Sequence, residues 1–117
     1  MALGFLATTA SADEITLSLP PELAVPLADA LQHLRRTSSG ERTAAFDELA
    51  RQAATGDLRA SRDTLRELLA VAIDEAGEQV SDASSRLLRG DDAAEAELRA
   101  DLAELGALLD LLETASP

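Results

Sequence analysis

The sequence predicts an all-α protein: a four-helix bundle built on a C-terminal antiparallel helical hairpin, with an extended N-terminal arm or short strand. Three observations predict it. Leu69, Ile73, Ala76, Val80, Ala83 and Leu87 follow one another in alternating steps of four and three residues, the spacing of a heptad seam. Leu98, Leu102, Leu105, Leu109 and Leu112 repeat the same steps. Between the two runs stands Arg89-Gly90-Asp91-Asp92, a turn sequence.

Folding the chain at Gly90 sets Leu87 against Ala94, Ala83 against Leu98, Val80 against Leu102, Ala76 against Leu105, Ile73 against Leu109 and Leu69 against Leu112. The register is constant to within one residue, and small residues on the first helix face leucines on the second, which lets layers interdigitate. Gly90 suits the left-handed residue that ends a helix. Arg86 and Arg89 fall in the last turn of the first helix, and Asp91, Asp92 and Glu95 open the second, which complements both helix dipoles. Gly77 lies inside the first helix and marks a close crossing or a break.

The remaining elements follow in order. Residues 1–12 carry a short apolar core and an Ala-Ser-Ala ending but no basic start, so they read as a flexible arm rather than a secretory leader. Residues 13–117 form a single helical domain, of which 61–114 is the hairpin. From Asp13 to Leu19, apolar Ile15, Leu17 and Leu19 alternate with polar Glu14, Thr16 and Ser18, a short strand stopped by Pro20-Pro21. No second strand signal is present, so this strand is expected to stay extended or to pair with a copy of itself. A turn at Pro21–Ala24 leads into a helix from Pro26 to Arg36 with Leu27, Ala30, Leu31 and Leu34 inward. Ser38 with Glu41 forms a capping-box pattern for a third helix running to about Ala54, with Phe46, Leu49, Ala50 and Ala53 on one face. Ser61 is placed to cap the long helix that follows.

Composition narrows the function. The chain has no Cys, no Lys, one His and no Trp or Tyr. Thiolate metal sites, disulfides and cysteine nucleophiles are thereby excluded, and with Phe5 and Phe46 its only aromatic residues, the chain is poorly equipped for a base-stacking platform. No apolar run approaches the roughly 18 residues that cross a bilayer, which fits a cytoplasmic protein. The net charge of −12 is uneven. Seven of the ten arginines lie between Arg35 and Arg66, and the hairpin is acidic. That hairpin is expected either to present a solvated acidic face or to meet an arginine-rich surface. His33 reads as a surface or packing residue. No strained nucleophile turn, phosphate loop or dinucleotide fingerprint is present.

Two patterns bear on chemistry. Asp74, Glu75 and Glu78 sit on adjacent turns of the first hairpin helix, and Asp101 and Glu104 lie three apart on the second, at the same level. With Glu75-Ala76-Gly77-Glu78 and Gly90-Asp91, the stretch Leu69–Leu112 resembles the all-α nucleotide pyrophosphohydrolases of the MazG type. Those carry Glu-Glu-x-x-Glu on one helix and Glu-x-x-Asp on the next around magnesium. The resemblance implies Mg²⁺ held by Asp74, Glu75, Glu78, Asp101 and Glu104, although here an Asp leads and the second pair is Asp-x-x-Glu. The run from Ile15 through Leu-Ser-Leu-Pro-Pro-Glu-Leu into two helices resembles the ribbon-helix-helix repressors and antitoxins over about residues 13–54. It implies a dimeric ribbon that turns Glu14, Thr16 and Ser18 to DNA, with Arg35, Arg36, Arg42 and Arg51 near phosphates. An acid in the ribbon and no Arg makes a poor reader of bases.

The leucine surplus points elsewhere. Leu108 and Leu111 lie beside the seam, so the turns from Leu105 to Leu112 are apolar over most of their circumference. The favoured reading is a non-enzymatic protein–protein interaction or regulatory module, homodimeric, acting through the acidic leucine-rich hairpin. Its partner-binding residues are Leu105, Leu108, Leu111 and Leu112, it needs no cofactor, and its partner is a protein rather than nucleic acid or membrane.

Overall fold

The computed structural model describes residues 14–115; the arm expected at residues 1–12 lies outside them. Among the described residues there are two strands and four α-helices. They are β1 (Glu14–Ser18), α1 (Ala24–Thr37), α2 (Glu41–Ala53), β2 (Asp57–Ser61), α3 (Arg62–Leu88) and α4 (Ala94–Ala115), with a 3₁₀ turn at Pro21–Leu23 before α1. The protein is mostly helical. Among the described residues no helix is long and apolar enough to cross a membrane.

The expectation that β1 finds no partner within the chain is corrected. β1 pairs antiparallel with β2, Leu17 opposite Leu58 and Ile15 opposite Ala60. Leu19 N–H continues the ladder by donating to the Gly56 carbonyl at 2.7 Å. Leu17, Leu19 and Leu58 turn into the core, while Glu14 accepts from Arg59 at 2.7 Å on the outer face. β2 carries a single large apolar residue, too little for a period-two signal. Its pairing follows instead from β1's backbone groups, which need partners.

The 3₁₀ turn and α1 are continuous. Pro26 falls in the first turn of α1, where the backbone N–H it lacks would have no intrahelical acceptor, so the helix starts two residues earlier than expected without the cost of an interior proline. Leu27, Ala30, Leu31 and Leu34 are buried as anticipated. The Ser38–Glu41 capping box does not form. Gly40 is the residue before α2, at φ 64°, and makes no side-chain cap, while Ser38 ends α1 in extended conformation. With three residues between the helices, the chain reverses through Gly40 and leaves Ser38 on the wrong helix end.

Ser61 does cap α3, its Oγ accepting from Thr64 N–H at 3.2 Å. α3 runs unbroken through Gly77, where an added Cβ would meet nothing within 4 Å. Gly77 is therefore neither a crossing nor a break. α3 ends in a Schellman turn: Asp91 N–H donates to the Arg86 carbonyl and Gly90 N–H to that of Leu87, both at 3.0 Å, with Gly90 at φ 97°.

The core gathers Leu17, Leu19 and Leu58 of the sheet, the inner faces of α1 and α2 with Phe46 and Leu49, the first half of α3 from Leu65 to Ala76, and Leu108 and Ala115 of α4. The most extensive packing between elements joins α3 and α4. Toward the Gly90 turn, from Gly77 to Glu104, the buried residues on these two helices are Ala83 and Ala94, outside the core cluster. The described chain is elongated, 67 × 26 × 23 Å.

Candidate functional site

α4 carries seven leucines, enough for more than one inward stripe. The line it buries is Ala94, Leu108 and Ala115. That line lies roughly 70° round the helix from the expected seam, at 3.6 residues per turn. α4 packs against β1 and the 3₁₀ turn as well as α3, and that extra layer rotates it. The leucines expected to meet a partner are redistributed accordingly. Leu108 is at 0% exposure in the core, while Leu105, Leu111 and Leu112 are half-buried against it. Leu102 and Leu109, expected inside the seam, are 49% and 47% exposed. The surplus that the turns 105–112 cannot bury as a hairpin alone is thus largely covered by the N-terminal half of the same chain.

The carboxylates fall along two grooves. The larger, about 460 Å³, is lined by Asp29 of α1, Glu75, Glu78 and Asp82 of α3, and Glu97, Asp101 and Glu104 of α4. The cation lining it is Arg86, which binds Asp82 at 3.0 Å and Glu97 at 2.6 Å and reaches Asp91 at 3.8 Å. Arg86 thereby stitches the end of α3 to the start of α4. Among the described residues, no other cation lines the groove. Partial burial, with Asp101 and Asp29 nearby, pushes the Glu104 carboxyl above the usual carboxylate range.

Asp74 lines the second groove, about 430 Å³, with exposed His33, Glu67, Glu75 and Glu78. The five acids named for magnesium are therefore spread over two grooves. Among the described residues no group of three or more His, Cys, Asp or Glu is placed to hold a metal ion. Among the described residues, the acidic helices meet the Arg35–Arg66 cluster through the ion pair of Arg42 with Glu67. Others in the cluster pair locally, Arg35 with Asp47 and Arg51 with Glu48, both at 2.5 Å. Asp29 and the Arg86 clasp were not singled out by sequence. Arg86 stands four residues after Asp82, an i, i+4 spacing that could have flagged the clasp.

No protein-family model matches the chain, and neither does any curated protein or solved structure.

Proposed function

We propose that the chain is a non-enzymatic protein–protein interaction module, homodimeric, whose interaction element is an antiparallel α3–α4 hairpin within a four-helix bundle. The hairpin reading is supported by the Arg86–Glu97 bridge across the turn. It is supported too by Glu75, Glu78 and Asp82 lining the same groove as Asp101 and Glu104, as an antiparallel register near Gly90 requires. The observation that carries the interaction reading is the pair Leu102 and Leu109. Two leucines one heptad apart, each about half exposed, on a helix whose other leucines are buried or half-buried, form an anchor pair of the kind helix–helix recognition uses.

The acidic charge fits a module that excludes nucleic acid. The pairing of β1 with β2 uses within one chain a strand edge that a ribbon-helix-helix dimer would draw on, and the division of the carboxylates between two grooves weighs against magnesium catalysis. Light scattering on the full chain at micromolar concentration should give twice the 12.3 kDa chain mass. Leu102→Glu or Leu109→Glu should reduce that to the chain mass with helicity unchanged. A wild-type chain that stays at the monomer mass would sink the homodimeric reading.

A further inference from the structure

α4 turns one continuous line to solvent: Glu95, Arg99, Leu102, Gly106, Leu109 and Glu113, all exposed. The steps between them alternate four and three residues, which keeps them on one stripe of an α-helix. The stripe lies about 130° round the helix from the buried line of Ala94, Leu108 and Ala115, away from the residues that α4 buries.

The order of these residues complements itself when reversed. Let a second α4 run antiparallel to the first, with a two-fold axis at Gly106. Leu102 then meets Leu109 of the second copy, and Leu109 meets its Leu102. Arg99 meets Glu113 of the second copy, and the reverse. Gly106 has open space where a Cβ would project, so nothing there holds the two backbones apart at the axis. A chain of net charge −12 resists indiscriminate self-contact. On this stripe, reversal sets unlike charges opposite each other. Arg99 is held at 3.4 Å by Glu95 one turn away, an exposed pair that contributes little and leaves its guanidinium free to be shared.

We infer that this stripe is a two-fold, antiparallel docking seam for a second copy of the chain. The inference rests on the interaction reading above and gives it a partner and a geometry. An isologous contact of this kind repeats every pair twice, so each charge change acts on both ends of the seam.

The test is sedimentation equilibrium of the full chain over a micromolar concentration series. Wild type should dimerise. Arg99→Glu and Glu113→Arg should each weaken dimerisation about tenfold. The two together should restore it to near wild type, because the swapped charges again meet as opposites. Gly106→Gln should abolish dimerisation while the monomer keeps its helical circular dichroism. Monomeric wild type would overturn the homodimeric reading and this seam together. A wild-type dimer indifferent to all four variants would leave that reading standing and overturn the seam alone.

Discussion

The two ends of the long helices are held by different physics. From Leu65 to Ala76, α3 buries four large or small apolar side chains per two turns against the sheet, α1 and α2, and Leu108 and Ala115 close the layer from α4. From Gly77 to Glu104 the same two helices bury only Ala83 and Ala94, and Leu88 at the tip is 88% exposed. Ten carboxylates and three arginines occupy residues 74–104, and this half has the Arg86 clasp and half-buried Val80, Leu87 and Leu98 in place of fully buried large side chains. Stability should therefore be concentrated at the core end. The far end can change its surface chemistry at little cost to the core.

The sharpest way to break that comparison is at Leu108 and its neighbour. Leu108→Ala removes a fully buried side chain from the core layer and should cost about 3 kcal/mol of unfolding free energy. Leu109→Ala, one residue on but half exposed, should change the unfolding free energy by less than about 0.5 kcal/mol at concentrations low enough to keep both proteins monomeric. Urea denaturation of the two variants separates them. Equal costs would mean that α4 is not rotated as described and that the seam expected from its heptads faces inward after all.

The same helix shows how far sequence carries. The four helices, the Gly90 turn, the Ser61 cap and the inward faces of α1 and α2 were legible, because each depends on local periodicity or on one residue's backbone preference. The facing of α4 was not. Leu98, Leu102, Leu105, Leu108, Leu109, Leu111 and Leu112 support two inward stripes equally well, and the choice is made by β1 and the 3₁₀ turn, far away in the chain. β2 escaped for the related reason that Leu58 alone carries its burial. The one clue was indirect: β1 had a strand pattern and no partner. For the candidate site, Glu75 and Glu78 line one groove with Asp101 and Glu104 while Asp74 lines the other, and Asp29 reaches the larger groove from α1 through tertiary packing that no spacing reports.

Gly90 offers a test of intermediate size. At φ 97° any side chain is strained, so Gly90→Ala should cost about 1–2 kcal/mol. Because the turn lies at the lightly packed end, the loss should show first as local opening. Hydrogen exchange should accelerate at the amides of residues 80–100 before those of Leu65–Ala76. Uniform acceleration along α3 would mean that the two ends unfold as one cooperative unit and that the contrast between them does not extend to stability.

The smallest expected effect lies in the groove itself. Glu104 has its folded pKa raised, by partial burial first and then by Asp101 and Asp29. A carboxyl with a raised folded pKa binds its proton more tightly in the native state than in the unfolded chain. Its penalty is absent below the unfolded pKa and grows as pH rises through the folded one, so at neutral pH the charged form works against folding. Glu104→Gln should therefore raise the thermal midpoint by about 2 °C at neutral pH. The gain over wild type should shrink as the pH falls through the carboxylate range, since wild type then carries a neutral side chain too. The two proteins differ only at position 104, so the difference between the two curves isolates it. A difference that stays constant with pH would assign the gain to altered packing and show that the groove's mutual repulsion is too screened to oppose folding. The Glu104 carboxylate would then oppose folding too weakly to matter to the helices that carry the groove.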